Sequence, residues 1–261
     1  MTTITIGQRK GGNGKSTSAL NLAHAFALRG KRVLLIDLDD QKNSTSAIET
    51  AEAITCTVED LLLRPEVGLP DVAVRTAWDG VSLVAASGSL SGAIRELDGE
   101  VGSHLVLREK LACEKLEAIA GGTGYDLCLI DTSPSLNILV VNALCASRWL
   151  FIPLSSRYFS LHGLGQTLEA FGKVKGRLNA ELEILALAFV IHDGRSGLAR
   201  EVIEKARTEY PALVCATTIG QNIHIEEAQV QRRSILGYLP CDRGSEQYRS
   251  LADELLVRLG G

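Results

Sequence analysis

The chain has 261 residues with a net charge of −4, and apolar residues make up 46% of it. That is enough apolar material for the core of one large α/β domain, so we expect residues 1–261 to form a single domain. The composition argues against disorder, and no apolar run is long enough to cross a bilayer. The six cysteines form no C-x-x-C pair and lie mostly in apolar stretches, which favours a reducing cytoplasm.

The first predicted elements are a strand, a glycine-rich turn and a helix. Residues 3–7 alternate and are β-branched, whereas residues 15–29 carry apolar side chains at helical spacing until Gly30 ends the pattern. Residues 32–37 form a continuous apolar run that an aspartate closes, and residues 126–131 repeat it. Such runs are typical of strands that are buried on both faces of a parallel sheet.

Strands and helices are predicted to alternate along the rest of the chain. The remaining predicted strands are 81–85, 149–154, 184–191 and 213–219, and the remaining predicted helices are 58–63, 104–120, 161–178, 196–210 and 245–259. Apart from the short helix, the stretch from 45 to 80 shows no clear pattern and is predicted to be loop. Regular β/α alternation predicts a doubly wound, mostly parallel sheet flanked by helices, with ligands bound at the carboxyl ends of the strands.

The glycine-rich turn at residues 10–17 has the composition of a phosphate-binding loop. Glycines let successive backbone N–H groups turn toward phosphate oxygens, while a lysine and a hydroxyl meet the β- and γ-phosphates and Mg²⁺. The residues that supply these groups are Gly11, Gly12, Asn13, Gly14, Lys15, Ser16 and Thr17. The general P-loop pattern requires a glycine where this chain has Arg9, so the sequence matches the variant K-G-G-x-G-K-[ST], in which Lys10 is a second lysine.

These residues resemble the ParA/MinD family of deviant Walker A ATPases, and within it the ParA branch that moves plasmids and chromosomes. Besides the loop, four blocks carry the resemblance in the family's order. They are residues 34–39 with Gln41 and Asn43, residues 130–136, residues 152–154 with Tyr158 and Phe159, and residues 243–255. The resemblance implies a P-loop NTPase fold with ATP and Mg²⁺ as cofactors.

The resemblance also implies roles for the loop residues. Lys15 would contact the β- and γ-phosphates, Ser16 would coordinate Mg²⁺, and Thr17 would bond the α-phosphate. Lys10 would reach across a dimer to the partner's nucleotide. A cation supplied in this way by a second subunit would make hydrolysis depend on dimerisation.

Three acids at predicted strand ends are further candidates. Asp131 matches the Walker B acid that holds Mg²⁺ through water. Asp39 is expected to position the attacking water, because it lies two residues past Asp37 and therefore on the same side of an extended chain. Asp37 would support the metal shell. Acids in such places also serve as simple turn caps, and that alternative stays open for both Asp37 and Asp39.

The base contact is predicted from a late turn in the chain. The family often has a Pro-x-Asn turn there, and this chain keeps Asn222 but has Gly220 in place of the proline. Asn222 is therefore the candidate for the adenine contact. No Asn/Thr-Lys-x-Asp element for reading guanine is present, so the sequence favours ATP over GTP.

The function implied by the resemblance is an ATPase of weak intrinsic activity that segregates chromosome or plasmid DNA. It would dimerise on ATP, bind double-stranded DNA without sequence preference, and hydrolyse ATP when a ParB-like centromere-binding partner stimulates it. It would be cytoplasmic and nucleoid-associated, with no membrane partner. Candidate DNA contacts are Arg195, Arg200, Lys205 and Arg207 on or before one helix, and Arg232 and Arg233 on the next; each is equally consistent with an ordinary solvated helix face.

Three other functions are alternatives to DNA segregation. A ParA-like ATPase that positions a protein cargo would use the same motor and the same DNA track, so the sequence separates it poorly from DNA segregation. A MinD-like membrane ATPase would end in a basic amphipathic helix, whereas residues 247–259 have an acidic polar side and are predicted to pack on the domain. An electron carrier of the nitrogenase-iron-protein type needs cysteines in glycine-rich ligand loops, whereas Cys128 and Cys145 lie in a predicted strand and helix.

Overall fold

The computed structural model describes residues 1–112, 124–156, 159–193 and 196–260, with no side-chain detail at 159–162. The strands in this part of the chain are β1 (Thr2–Ile6), β2 (Val33–Leu38), β3 (Ala73–Arg75), β4 (Val81–Val84), β5 (Leu127–Thr132), β6 (Trp149–Ser155) and β7 (Glu183–Val190). They form one sheet in the order β3-β4-β2-β5-β1-β6-β7. All neighbours pair in parallel except β3 and β4, which are antiparallel.

Helices cover both faces of this sheet, which confirms the predicted doubly wound α/β fold. In chain order they are α1 (Lys15–Ala27), α2 (Asn43–Ser46), α3 (Val58–Leu63), α4 (Leu69–Val72), α5 (Leu90–Leu97), α6 (Val106–Ala112), α7 (Ile138–Ala146), α8 (Phe159–Arg177), α9 (Gly197–Glu209), α10 (Ile223–Val230), α11 (Ile235–Tyr238) and α12 (Arg243–Gly260), with a 3₁₀ turn at Ser103–Leu105. Among the described residues, no helix has the length and apolar character needed to cross a membrane.

The central strands are buried because both of their faces are covered. All six residues of β2 are buried. Leu35 packs into the cluster that includes α1 and α12, whereas Leu34 and Ile36 pack into the cluster on the other face, with α3 and α5. Successive side chains of a strand point to opposite faces, so this strand needs apolar residues at every position. Burial on both faces also explains why β2 and β5 could be predicted from continuous apolar runs.

The predicted strand at 213–219 is wrong. The segment runs beside β7 and makes only isolated bridges, from Val214 to Leu187 and from Gly220 to His192. Between them, the backbone N–H groups of Ala216 and Thr217 donate to the carboxylate of Glu254, at 3.0 and 3.1 Å. A side chain of α12 thus takes the donors that a strand ladder would use, and the sequence of the segment alone does not reveal this.

Several short elements were missed or differ from the prediction. The stretch from 45 to 80 contains the end of α2, α4 and β3 besides the predicted α3, while most of its residues lie in turns and irregular segments, as predicted. Helix α7 contains Cys145, which was predicted to lie in a helix, but its bounds could not be predicted because its mostly apolar sequence shows no clear helical periodicity. Its start is capped by Asn137, which accepts from Leu139 N and Val140 N. Of the predicted helix at 104–120, the structure has the 3₁₀ turn and α6, and residues 113–120 lie outside the described part.

Candidate active site

The loop between β1 and α1 is an open anion cradle. Gly12 and Gly14 adopt positive φ angles of 73° and 69°, which favour glycine. A Cβ atom at Gly14 would meet Val190 Cγ2 at 3.0 Å, whereas Gly11 and Gly12 have nothing within 4 Å of that position. Gly14 is also the N-cap of α1 and provides no side-chain cap. The first backbone N–H groups of α1 therefore lack a capping side chain, and such groups bind anions.

Lys15, the first residue of α1, lies at the bottom of this cradle. Its side chain is only 7% exposed. Burial lowers the pKa of the ammonium group, and the charges of Asp131 and Asp39 partly oppose that effect. A buried cation is stable only with anionic or hydrogen-bonding partners, so the site is suited to a negatively charged ligand.

The hydroxyl of Thr17 is held by a residue that the sequence did not reveal. Gln229, on α10, donates from Nε2 to Thr17 Oγ1 at 3.0 Å. Since a hydroxyl has one donor and two acceptor positions, Thr17 can still donate a hydrogen bond to a phosphate oxygen. No local motif could have predicted this contact, because the two residues are 212 positions apart.

Asp37 and Asp131 lie side by side, because their strands β2 and β5 pair in register at these residues. Asp131 is fully buried, and Ser44 Oγ donates to its Oδ2 at 2.7 Å. Burial raises the pKa of Asp131 to about 7, and the neighbouring charge of Asp37 acts in the same direction. Its Oδ1 atom is buried without a hydrogen-bond partner among the described residues. The Ser16 hydroxyl lies close enough to this carboxylate to oppose the rise in the pKa of Asp131, so the two side chains together fit a hydrated Mg²⁺ ion.

Asp37 differs from Asp131 in that both of its carboxylate oxygens accept hydrogen bonds. It accepts hydrogen bonds from Asp39 N at 3.1 Å and from both Thr45 N and Thr45 Oγ1 at 2.8 Å. Burial raises its pKa to about 6 against the effect of these bonds. The contacts organise the turn after β2, so the capping alternative accounts for them, and support of a metal shell by Asp37 stays a prediction.

Asp39 lies on the surface of a cleft of about 760 Å³ that the phosphate loop also borders. Its side chain accepts from Gln41 N at 3.0 Å, and burial raises its pKa. The loop residues that line the cleft are Gly11, Gly12, Gly14, Lys15, Ser16 and Thr17, and α10 contributes Glu226, Gln229 and Val230. The volume is that of a typical site for a small molecule of nucleotide size. Lys10 does not line this cleft and lies instead beside Gly163 of α8.

A smaller cavity of about 60 Å³ extends from Gly14 and Thr17 toward the turn at Gly220, Gln221 and Asn222. Asn222, the predicted adenine contact, borders it. The Asn222 side chain caps α10 by accepting from His224 N at 2.9 Å, and it donates from Nδ2 to Asp242 Oδ1 at 2.5 Å. The structure thus brings Asn222 next to the phosphate loop, while one of its two amide donors and one of its two acceptor positions serve the turn itself.

The candidate DNA contacts are dispersed. Arg200 and Lys205 are exposed on α9. Arg207 on the same helix pairs with Glu204 at 3.0 Å and also donates to the carbonyl oxygen of Ala216. Arg232 and Arg233 were expected on a helix but lie in the turn between α10 and α11, and Arg195 lies outside the described residues. No group of three or more His, Cys, Asp or Glu side chains in the described chain could hold a metal ion by itself.

Known proteins similar to this chain share both its length and its fold. A family model described as an AAA domain matches residues 1–184. The chromosome partitioning protein ParA of Caulobacter vibrioides is 36% identical, over 98% of this chain and 94% of the relative. The sporulation initiation inhibitor protein Soj of Bacillus subtilis is 35% identical over 97% of each chain. The structure of cobyrinic acid a,c-diamide synthase from Mycobacterium smegmatis, with a bound ATP analogue and magnesium, superimposes with a TM-score of 0.82 at 26% identity and covers 100% of this chain and 96% of that one.

Proposed function

Because this chain belongs to the ParA family of chromosome-partitioning ATPases, we propose that it binds Mg·ATP as a homodimer and uses hydrolysis to segregate DNA. The observation that carries the proposal is that two features line one cleft while a third is buried close to Lys15 and Ser16. These are the uncapped start of α1, the buried ammonium group of Lys15, and the unsatisfied Oδ1 atom of Asp131. Together they provide donors for phosphate oxygens and an acceptor for the water shell of Mg²⁺.

Different residues are proposed to bind different parts of Mg·ATP. Lys15 and the backbone of Gly11, Gly12, Asn13 and Gly14 hold the β- and γ-phosphates, and Thr17 holds the α-phosphate. Ser16 and Asp131 hold Mg²⁺, with Asp37 behind them. Bound Mg²⁺ neutralises charge on the phosphates during transfer. The magnesium-containing structure of the Mycobacterium smegmatis synthase, which has the same fold, supports this choice of cofactors.

Turnover depends on two further residues. Asp39 lines the same cleft and is the residue proposed to orient a water molecule for attack. Lys10 acts across the dimer on the partner's nucleotide, which agrees with its absence from the lining of its own cleft. A lysine supplied in this way stabilises charge that develops on phosphoryl oxygens. Without the partner subunit, hydrolysis is slow.

DNA and a ParB-like centromere-binding protein are the proposed partners, and the nucleoid is the proposed location. Exposed Arg200 and Lys205 on α9, with Arg232 and Arg233, supply the positive charge. A dimer doubles this modest charge, which can make a weak contact useful. The membrane alternative is not favoured, because the apolar side of α12 is buried in the core through Tyr248, Leu251 and Leu255.

The nucleotide part of the proposal is tested by measuring ATP affinity and ATP turnover for the wild type, Lys15→Ala and Lys10→Ala. Lys15→Ala should weaken ATP binding about tenfold to 100-fold, because hydrogen bonds to charged groups are the strong ones. Lys10→Ala should bind ATP normally but lose the stimulation that dimerisation and the ParB-like partner provide. An equal loss of binding in both variants would contradict the role of Lys10 across the dimer.

The DNA part is tested by duplex binding with and without ATP at several salt concentrations. Binding should require ATP and weaken by about 0.9 logarithmic unit per logarithmic unit of salt for each phosphate neutralised. The double variant Arg200→Ala/Lys205→Ala should lower both the affinity and this slope. Lys173→Ala/Arg177→Ala removes the same charge from an exposed face of α8 and is the matched control. Equal effects of the two double variants would show that only net charge matters.

A further inference from the structure

The turn at residues 220–222 is held by hydrogen bonds to side chains of α12 and of the residue just before it. Gln247, in the second turn of α12, accepts a hydrogen bond from Gly220 N through its Oε1 atom at 3.0 Å. Asp242, just before α12, accepts from Asn222 Nδ2 and also from Gly244 N at 2.7 Å. Two polar side chains from one end of this helix therefore fix the two ends of the turn.

The other side of the turn is anchored to the end of β7. Gln221 N donates to the carbonyl oxygen of His192 at 3.0 Å, and His192 N donates to that of Ile219 at 2.9 Å. The turn thus lies between β7 and α12, and its inner side borders the small cavity next to Gly14 and Thr17. Gln247 does not line that cavity; it lines a separate polar recess on the outer side, with His192 and Arg243.

The cavity is where the nucleoside end of a bound nucleotide belongs. The cradle fixes the phosphates at Gly14 to Thr17, so a ligand that continues past these residues meets the walls formed by Ile191 and Ile219. Apolar walls with a few well-placed polar groups are typical of sites for flat organic ligands. The polar residues here are Gln221 and Asn222 on the turn, together with Thr17, Glu226 and Tyr248 from other elements. The position of the turn decides whether its own polar groups meet the base.

We propose that Gln247 is a positioning residue for the base of ATP, acting through Gly220; this inference rests on the proposed function. A glycine at position 220 has a backbone N–H group, and its partner within the described chain is the Gln247 side chain. Without that acceptor, the turn loses the bond that fixes its first residue. Contacts to the base then weaken, while the phosphate cradle, built by α1 and β1, keeps its geometry.

The test compares two probes that share the phosphate cradle. ATP reaches both the cradle and the cavity, whereas inorganic tripolyphosphate reaches only the cradle. Gln247→Ala should weaken ATP binding about fivefold to tenfold, which is the effect of losing one or two ordinary hydrogen bonds. It should leave the affinity for tripolyphosphate unchanged within twofold. Both affinities are measured by calorimetry on the full-length protein in the presence of Mg²⁺, so no turnover is needed.

Two variants complete the design. Gln247→Glu keeps an acceptor for Gly220 N and should restore ATP affinity to within about twofold of the wild type. Glu246→Ala shortens the exposed neighbour on the same helix and should change neither affinity. The inference is overturned if Gln247→Ala binds ATP as tightly as the wild type, or if it loses both probes equally, since the latter is a general loss of structure. A wild type that binds tripolyphosphate but not ATP would instead contradict the proposed function.

Discussion

The two ends of the cleft are built in different ways. At the phosphate end, the cradle and its lysine come from one continuous segment, residues 10–17, between a strand and a helix. At the base end, the turn at residues 220–222 depends on His192, Asp242 and Gln247, which come from two separate parts of the chain, the end of β7 and the start of α12. The first end is local in sequence, and the second is assembled by tertiary contacts.

This difference shows which end of the cleft is required for nucleotide binding and which end only adjusts the affinity. A phosphate loop needs a fixed backbone path, and glycines with positive φ can specify that path locally. A turn that faces a base needs only to be held at the right distance, and many combinations of side chains can do this. Changes at the phosphate end should therefore abolish function, whereas changes at the base end should adjust affinity.

The largest expected effect is at Asp131. Asp131→Asn keeps the size of the side chain but removes the charge that would hold Mg²⁺, so magnesium-dependent ATP turnover should fall about 100-fold or more. Turnover is measured at saturating ATP across a range of Mg²⁺ concentrations. If the variant keeps wild-type turnover at all of them, Asp131 has no part in metal binding.

The same variant should be more stable than the wild type when nucleotide and Mg²⁺ are absent. Burial and Asp37 raise the pKa of Asp131 to about 7, so the folded state holds this proton more tightly than the unfolded state does. The associated stability is present below pH 4 and is lost as the pH rises through 7. Asparagine has no such loss, so the gain in the free energy of unfolding should be larger at pH 8 than at pH 5. Urea denaturation at the two pH values measures it.

A smaller effect is expected at Asn222, and it tests whether the base end is specific. Asn222→Ala removes the cap of α10 and the bond to Asp242, which should cost about 1 kcal/mol of stability and weaken ATP binding several-fold. Ser196→Ala removes the cap of α9, at a similar cost in stability, and should leave ATP affinity unchanged. Equal affinity losses in the two variants would mean that lower stability alone weakens ATP binding.

The same contrast explains how much could be predicted from the sequence. The strands β2 and β5, the loop, Asp39 and Asp131 could all be placed from local patterns, because a buried parallel strand and a glycine loop each have a local signature. The bonds from Ser44 to Asp131 and from Gln229 to Thr17 could not, since each depends on which elements the fold brings together. The strand predicted at 213–219 was wrong for the same reason. Backbone N–H groups of this segment donate to the carboxylate of Glu254, which is 37 or 38 positions away.

A modest effect is expected where non-glycine residues adopt left-handed backbone angles, as Lys42, Ile191 and Arg232 do among the described residues. Lys42, after β2, and Arg232, after α10, both have φ of 54°. Glycine relieves this strain but is more flexible in the unfolded chain, so Lys42→Gly and Arg232→Gly should each add about 0.5 to 1 kcal/mol of stability. Thermal unfolding measures both. Destabilisation by either variant would indicate that the lysine or arginine side chain makes contacts worth more than the strain.

The smallest effect is expected away from both ends, at the ion pair between Arg32 and Asp126, which precede β2 and β5. The Arg32 guanidinium and backbone N–H bond the carboxylate and lower the pKa of Asp126 to about 2. A depressed pKa contributes stability that is present above about pH 4 and is lost as the pH falls toward 2. Because both side chains are one-third exposed, solvent screens the pair and the contribution to stability should be small. At pH 5 the free energy of unfolding of Asp126→Asn should therefore be lower than that of the wild type, and at pH 2.5 this difference should be smaller. The variant should bind ATP normally. If the gap in urea midpoints is the same at both pH values, the carboxylate is not stabilised by Arg32.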